Sequence, residues 1–495
     1  MSAVAQSSKH PCLPCHPAEV ERFSQSAMGQ SLSAQTSEPP GHFNHAPSDA
    51  SVTIYRNDSG MHHKVEEHGL TADYPIAYAI GFGKVGRSYL IDLKGNLFQS
   101  PASYYTSKGE WSASPGYETA HVLDFTRAIT ADCISCHAGS IQKGSESVKL
   151  MPLSCDRCHG PSENHLKNPV PGSIVNPAKL IGRERDSVCE QCHLEGATVV
   201  LNPDKNWSDF RPGMVLESVE SHYVFRSMSG GLASMAAVSH AEQLAISACS
   251  RASAGKLWCG TCHDPHGPKL DRQAQMRQIC MSCHASPQLA TTHATGQDDC
   301  IACHMPKLSA SDITHAAVTD HRILKHPEPV DSSVKGRVLT AWQAPPPSLA
   351  QRNLGLAYFH VARQNNSGPD YQRAFECLSA VPHSHDAEVS AALGYMLLGS
   401  GNASAAIPLF KSAIDSQPDD SEYWLDLGVA QQTAGQIQEA TSSFSRCIYL
   451  SPYNYRPYKA LSDLYRAAGE DAQSRETLRR FLALVPQSLT LRLPQ

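Results

Sequence analysis

The sequence predicts a mixed, mainly α chain: a region of short motif-bearing helices and loops, a small β-rich insert, and a C-terminal tetratricopeptide α-solenoid. Three observations carry this. Cys-x-x-Cys-His occurs seven times before residue 305 and uses fourteen of the seventeen cysteines. Short runs of β-branched and aromatic residues fill the gap between the first and second motifs. After about residue 346, several landmarks recur every 34 residues.

The motifs are Cys12-Leu-Pro-Cys15-His16, Cys133-Ile-Ser-Cys136-His137, Cys155-Asp-Arg-Cys158-His159, Cys189-Glu-Gln-Cys192-His193, Cys259-Gly-Thr-Cys262-His263, Cys280-Met-Ser-Cys283-His284 and Cys300-Ile-Ala-Cys303-His304. Two thiols three residues apart lie on one face of a helical turn. There they can form thioethers to a porphyrin's vinyl groups, and the next residue sets an imidazole under the iron. Zinc ribbons also use Cys-x-x-Cys pairs, but a tetrahedral zinc site does not need a histidine after every second cysteine. A disulfide within one helical turn is a poor staple and leaves the histidine unexplained. The cofactors predicted are therefore seven covalently attached haem c groups. Their proximal ligands are His16, His137, His159, His193, His263, His284 and His304.

Composition narrows the function classes. The chain has 495 residues, enough for two or three domains. Its formal charge is −6. Seven haems would add about two propionates each, which makes a nucleic-acid partner a poor fit. No run reaches the eighteen or so apolar residues of a membrane span.

Residues 1–46 read as an N-terminal haem segment and 47–120 as the β-rich insert. Ser51-Val-Thr-Ile-Tyr55 and Arg87-Ser-Tyr-Leu-Ile-Asp-Leu93 are strand-like, and Lys94-Gly95-Asn96 turns the second into Leu97-Phe-Gln-Ser100. Gly81-Phe-Gly83-Lys-Val-Gly86 matches a dinucleotide fingerprint, but a strand rather than a helix follows, so it reads as a turn. Residues 121–326 form the six-haem region, too poor in apolar residues for an ordinary core, so the porphyrins must supply buried surface and the chain without haem should not fold. Residues 327–347, ending in Pro345-Pro346-Pro347, read as a linker.

Residues 348–495 read as about four tetratricopeptide repeats. Leu393-Gly394, Leu427-Gly428 and Ala460-Leu461 recur, as do Gly401, Gly435 and Gly469, then Phe410, Phe444 and Leu478, and finally Pro418, Pro452 and Pro486. Leu354-Gly355 opens an irregular first unit with a longer loop around Asn365–Asp370. Cys377 and Cys447 read as small buried residues on repeat helices, and Cys249 has no clear role.

Histidines beyond the motifs are numerous enough to give every iron two imidazoles. His165 and His266 stand too close behind His159 and His263 to cross to the far face of the same haem, so they would ligate neighbours. His315 and His321 follow the last motif. With every sixth position filled, the irons would carry electrons. One open position would allow chemistry on a small ligand.

Residues 11–326 resemble the exported multihaem cytochromes related to the tetrahaem cytochrome of ammonia oxidisers and, more distantly, to pentahaem nitrite reductase and octahaem hydroxylamine oxidoreductase. The phrases that carry the resemblance are Cys155-Asp-Arg-Cys-His-Gly-Pro-Ser-Glu-Asn-His165, Cys259-Gly-Thr-Cys-His-Asp-Pro-His266 and Cys300-Ile-Ala-Cys-His-Met-Pro306. With Phe23-Ser-Gln-Ser-Ala-Met-Gly29, Ser114-Pro-Gly-Tyr117 and the repeats, the whole chain looks like the bacterial tetratricopeptide-containing multihaem cytochromes. The resemblance implies His45, His165, His240, His266, His293, His315 and His321 as distal ligands, with His222, His121 and His42 in reserve. His45, His240 and His293 rest on it alone. The Cys-x-x-Cys-Lys attachment of the nitrite reductase catalytic haem does not occur in this sequence.

The function expected is electron transfer outside the cytoplasmic membrane, periplasmic or at the cell surface, with other redox proteins as partners. The repeats would dock a partner or drive self-association, including a multimer or filament. The competing function is a haem oxidoreductase of a small nitrogen or sulfur oxyanion. A third reading, haems as mere staples, asks for seven cofactors to hold about 300 residues. Covalent haem attachment requires export, and Ala3-Val4-Ala5 before Gln6 has the small-x-small form of a signal-peptidase site, so the precursor is expected to begin upstream of Met1. N-terminal sequencing of the native protein is expected to begin at Gln6, and an intact Met1 would contradict it.

Overall fold

The computed structural model describes residues 10–34, 36–143, 148–226, 239–267, 272–284, 299–309, 317–326, 338–382 and 384–492. Alternation of inward and outward residues builds the first unit. Strands Gly41–His45, Ala50–Asn57, Gly60–Glu67 and Leu70–Pro75 form an antiparallel meander. Ala50, Val52 and Ile54 point inward along one strand, the period of two that a half-buried strand requires. A second sheet joins Leu32–Ser33, Tyr78–Ile80, Ser88–Leu93 and Asn96–Gln99. Tyr89, Ile91 and Trp111 close a shared core with Val52, Ile54 and Val65.

This β unit begins earlier than expected. His45 pairs with Ala50, so a boundary at 47 would cut the first hairpin. The hairpin over Lys94 and Gly95 is a two-residue turn with φ of 50° and 85°, the left-handed pair whose twist suits antiparallel strands. Gly81–Gly86 lies between two strands, and a Cβ on Gly86 would stand 3.0 Å from the Tyr104 carbonyl oxygen. The glycines there serve close strand approach and not a phosphate.

Among the described residues, the motif region contains short helices, loops and also β structure that the sequence reading passed over. Thr198–Leu201, Glu220–Arg226 and Val338–Ala341 form a three-stranded antiparallel sheet. Its last strand lies inside the segment expected to be a linker. Thr198-Val-Val-Leu201 and Tyr223-Val-Phe225 carried the β-branched and aromatic signal for it.

The C-terminal part holds four antiparallel helix pairs among the described residues: Ala350–Asn365 with Gly368–Ser379, Ala387–Gly399 with Ala403–Ser416, Ser421–Thr433 with Ile437–Leu450, and Tyr455–Ala467 with Asp471–Leu484. The repeated glycine permits close helix contact: a Cβ on Gly428 would lie 2.6 Å from the Phe444 ring. Only Asn366 and Ser367 separate the first two helices, so the irregular length lies after Ser379 and not around Asn365–Asp370. Cys447 is buried in the repeat core as expected, and Cys377 is half-buried.

Both ends of the solenoid are built into the rest of the chain. Leu356 and Val361 of its first helix share a core with Val200, Tyr223 and Leu339 of the three-stranded sheet. Asn353 donates to Asn202 Oδ1 and to Ser221 Oγ, each at 3.0 Å. At the other end, Leu489 joins the β-unit core. The buried Asp124 carboxylate accepts from Leu489 N and Thr490 N, both at 2.8 Å, and from Thr490 Oγ1 at 2.7 Å.

The large apolar cores lie in the β unit and the solenoid. Near the motifs, among the described residues, a small cluster of Leu194, Phe210, Leu216 and Val219 is found instead. The expectation that the chain cannot fold without haem therefore applies to 121–326 and not to the two units with their own cores. Asp124→Ala strands several buried donors and is expected to cost about 2–3 kcal/mol. Hydrogen exchange checks it: the Leu489 and Thr490 amides should lose protection, and unchanged protection would contradict the clasp.

Candidate functional site

Each motif is folded as a single turn before any cofactor is considered. The histidine N–H donates to the carbonyl of the first cysteine at 2.8 Å in His16, 2.9 Å in His159, and 3.0 Å in His263 and His284. Helices Gly182–His193 and Cys300–His304 carry the fourth and seventh motifs. Asp299 caps the latter, its Oδ1 accepting from Ile301 N and Ala302 N. At the second motif the turn is tighter, with His137 N donating to Ile134 O at 3.0 Å. All seventeen cysteines are free of disulfides.

Distant imidazoles face these motifs. The ring centroids of His16 and His165 are 6.5 Å apart with planes at 25°. His159 and His266 are 6.0 Å apart at 18°, and His263 and His321 are 6.2 Å apart at 27°. Two imidazoles bound to opposite faces of one metal at about 2 Å each have centroids about 6.2 Å apart. His240 stands edge-on to His193, at 5.4 Å, and to His321, at 4.8 Å.

Hydrogen bonds orient the same rings. An imidazole that gives its Nδ1–H to a fixed acceptor keeps the Nε2 lone pair for a metal. His165 Nδ1 is 2.8 Å from Ser173 Oγ, His266 Nδ1 3.0 Å from Asp264 Oδ1, and His321 Nδ1 2.8 Å from Thr319 O. On the motif side, His159 and His304 place Nδ1 2.8 Å from the carbonyls of Val175 and Leu324. Burial alone would raise the Asp264 carboxyl, but the Arg22 guanidinium at 2.8 Å and the bonds from His266 hold it below its ordinary value.

A cavity of about 370 Å³ shows the fit most directly. Cys155, Cys158 and His159 line it together with His266, and Phe23, Met28 and Trp258 supply apolar wall. It offers two thiols, the facing imidazoles of His159 and His266 and an apolar surround, the donor set and setting of a tethered porphyrin, with His263 of the fifth motif also on its wall.

The motifs also abut one another through their thiols. Cys12 touches Cys155, and Cys189 touches Cys259. A bond from Cys192 holds the Cys136 thiol below its ordinary value, against burial. Burial, with the neighbouring Cys300, pushes the Cys280 thiol up to about 11. Among the described residues, one cluster has the spacing for a bare ion, His10 with Cys12 and Cys155. It joins three separate positions and is not the four-ligand set of a zinc ribbon. Cys249, without a role in the sequence reading, lies beside this thiol series, within the fields of Cys262, Cys280 and Cys283.

The structure thus brings His165, His240, His266 and His321 to motif histidines. It does not do so for His45, which is buried in the β unit with Nδ1 2.8 Å from Ser48 Oγ and Nε2 3.2 Å from Glu118 O. Both ring nitrogens serve the sheet. His293 and His315 lie outside the described residues. His42 and His121 are exposed, and His222 turns toward Glu220. Sequence reasoning missed the orienting groups. Asp264 was visible within Cys-His-Asp-Pro-His, whereas Ser173, Val175 and Leu324 act through folding and left no motif.

Comparison with known proteins bears on the motifs and the repeats. A family model described as Doubled CXXCH motif matches residues 251–289, and a Tetratricopeptide repeat model matches 421–454. The Multiheme cytochrome MtrA of Shewanella baltica (strain OS185) is 26% identical over 178 residues, 31% of this chain and 52% of that protein. The motif matches and this relative support a tetratricopeptide-containing multihaem c-type cytochrome. The chain spans about half the length of that curated relative. Among solved structures, MamA 41-end from Desulfovibrio magneticus RS-1 is 17% identical with a TM-score of 0.25, covering 29% of this chain and 88% of that one. The APC/C hetero-tetramer Cut9-Hcn1 is 19% identical with a TM-score of 0.24, covering 27% and 28%. No helix among the described residues is long and apolar enough to cross a membrane.

If His266 closes the iron of the third motif, His266→Ala should leave the haem content unchanged, because Cys155, Cys158 and His159 remain. One low-spin signal should become high-spin and bind carbon monoxide. An unaltered spin state would remove His266 from the ligand set.

Proposed function

We propose that the chain is an electron conduit holding seven haem c groups, each between two imidazoles, outside the cytoplasmic membrane. The observation that carries this is the set of three ring pairs at 6.0–6.5 Å, whose far-side members His165, His266 and His321 each have Nδ1 committed to a protein acceptor. Haem iron, when bound, supplies a one-electron couple whose potential follows its axial ligands, burial and nearby charge. The chain's own part is to place, orient and shield. Cysteines anchor the groups and motif histidines take one face. His165, His266, His321 and His240 take the other face for the first, third, fifth and fourth motifs. His293 and His315 are proposed for two of the three remaining irons, those of the second, sixth and seventh motifs, and a further histidine of the chain for the third.

Thiol contacts suggest the order of travel. The first motif abuts the third through Cys12 and Cys155, and Cys158 lies within the field of Cys189 and Cys192 of the fourth. The fourth meets the fifth through Cys189 and Cys259, and Cys262 leads to Cys280 and then Cys300. The second motif joins beside the fourth through Cys136 and Cys192. Kinship with the tetrahaem cytochrome of ammonia oxidisers belongs to this proposal and rests on the phrases around Cys155, Cys259 and Cys300. The repeats would dock redox partners or further copies of the chain. Export follows from covalent haem attachment.

Electron paramagnetic resonance of the oxidised holoprotein tests the reading, with and without nitrite, hydroxylamine or cyanide. Low-spin signals that ignore all three ligands are expected. A high-spin signal that moves on ligand addition would mean an open iron and favour an oxidoreductase.

A further inference from the structure

The turn that carries His266 follows from its four residues. Asp264-Pro265-His266-Gly267 closes with Gly267 N donating to Asp264 O at 3.0 Å, with proline in the second place and glycine in the fourth. Asp264 Oδ1 accepts from His266 N and lies against His266 Nδ1, both at 3.0 Å. One carboxylate oxygen therefore fixes both the backbone and the ring of the imidazole that faces His159.

The other carboxylate oxygen is held by a residue 242 positions away in the chain. Arg22, on helix Pro17–Ser24 directly behind the first motif, donates to Asp264 Oδ2 and to the Gly267 carbonyl, each at 2.8 Å. Gly267 has a φ of 110°, and a Cβ there would stand 3.1 Å from the Arg22 carbonyl oxygen, so glycine lets the helix end approach the turn. Glu19 shares the guanidinium at 3.6 Å. The Arg22 and Asp264 side chains are 22% and 21% exposed, so solvent screens the pair only in part.

Charge sets this imidazole apart. His159, His304 and His321 give Nδ1–H to backbone carbonyls. His165 gives it to Ser173 Oγ, whose own proton goes to the Val170 carbonyl at 2.6 Å. Those four acceptors are neutral, whereas His266 meets a carboxylate. A charged acceptor draws harder on Nδ1–H, which makes Nε2 a stronger donor to a metal. Ferric iron carries one more positive charge than ferrous iron, so the richer imidazole and the nearby anion both favour the oxidised state.

We propose that Asp264 lowers the potential of the third-motif iron below what a neutral acceptor on His266 would give, and that Arg22 moderates the effect from the far side of the carboxylate. Asp264 acts through His266, as a positioning residue. One electron from a donor protein reduces the iron and then moves on, with no bond made or broken at Asp264. The third motif stands between the first and the fourth, so a lower potential there makes it a place of passage where the electron dwells only briefly. This role rests on the electron-conduit reading and distinguishes one iron within it.

Potentiometric titration of the holoprotein at one fixed pH, followed by optical and resonance spectra, tests it. The third-motif couple is the one whose low-spin signal His266→Ala turns high-spin. Asp264→Asn keeps an acceptor oxygen for His266 and loses the charge. It should shift that couple upward by about tenfold in favour of the reduced iron, about 59 mV for one electron, at unchanged haem content and spin state. Arg22→Gln removes the opposing cation and should shift the same couple downward by a smaller amount. A merely structural role predicts otherwise, because loosening the turn from either side would displace the same ring and give shifts of one sign.

A couple that stays or falls in Asp264→Asn, or stays or rises in Arg22→Gln, would overturn the proposal. So would an unaltered spin state in His266→Ala. Should Asp264→Asn fail to load haem, the direction of the Arg22→Gln shift decides by itself. The spectra separate this role from the reading beneath it. Wholly low-spin irons with unmoved potentials sink the role of Asp264 alone. An open, cyanide-binding iron elsewhere in the wild type, with the two opposite shifts present, sinks only the six-coordinate conduit.

Discussion

In the proposed reading, the fold of the motif region depends on closing a haem iron from two sides. A Cys-x-x-Cys-His turn supplies one imidazole and two tethers from five consecutive residues, but the opposite face must come from elsewhere in the chain. His16 meets His165, His159 meets His266, and His263 meets His321. Each pairing sets a local turn against a distant segment, and a haem held between the two rings would tie them much as a disulfide would. The few buried aliphatic residues around Leu194 and Phe210 could not order this many loops by themselves.

The two other units meet the need for scaffold. The β unit packs Ile134 of the second motif against Leu32, Leu90 and Leu97, fixing one motif to a preformed sheet. The solenoid clasps the three-stranded sheet with its first helix and the β unit with the residues after its last. It is therefore part of the frame around the motifs, with both ends committed, and not an appendage on a flexible tether. Loop-rich haem segments held between two well-packed bodies keep their relative positions without a continuous core of their own.

Much of this was legible in the sequence because local chemistry specified it. Seven motif turns, the hairpin at Lys94-Gly95 and the 34-residue helical period all follow from residue type and spacing. His165 and His266 were legible through their position behind a motif. What could not be read depends on folding at a distance. Nothing local distinguishes His45, whose two nitrogens are consumed by Ser48 and Glu118, from His165, which commits Nδ1 to Ser173 and stacks on His16. Val338–Ala341 looked like linker because its flanks are rich in proline, yet it completes a sheet whose other strands lie more than a hundred residues earlier. A strand's partner is set by tertiary context, which composition does not encode.

That sheet explains why the solenoid and the redox motifs cannot be treated as independent parts. Tyr223 and Ser221 on one face belong to the repeat core, while Glu220 and His222 on the other face form a pair, with Glu220 in the field of Cys136 of the second motif. Alternation along a strand puts these side chains on opposite sides of one backbone, so neither face can shift without moving the other. Packing of the first repeat helix therefore fixes where the Glu220 charge stands relative to the motifs. In an interior of low dielectric, the position of a charge sets its influence on a nearby iron. The repeats thus bear on electron transfer through the frame itself, whatever they bind on their outer surface.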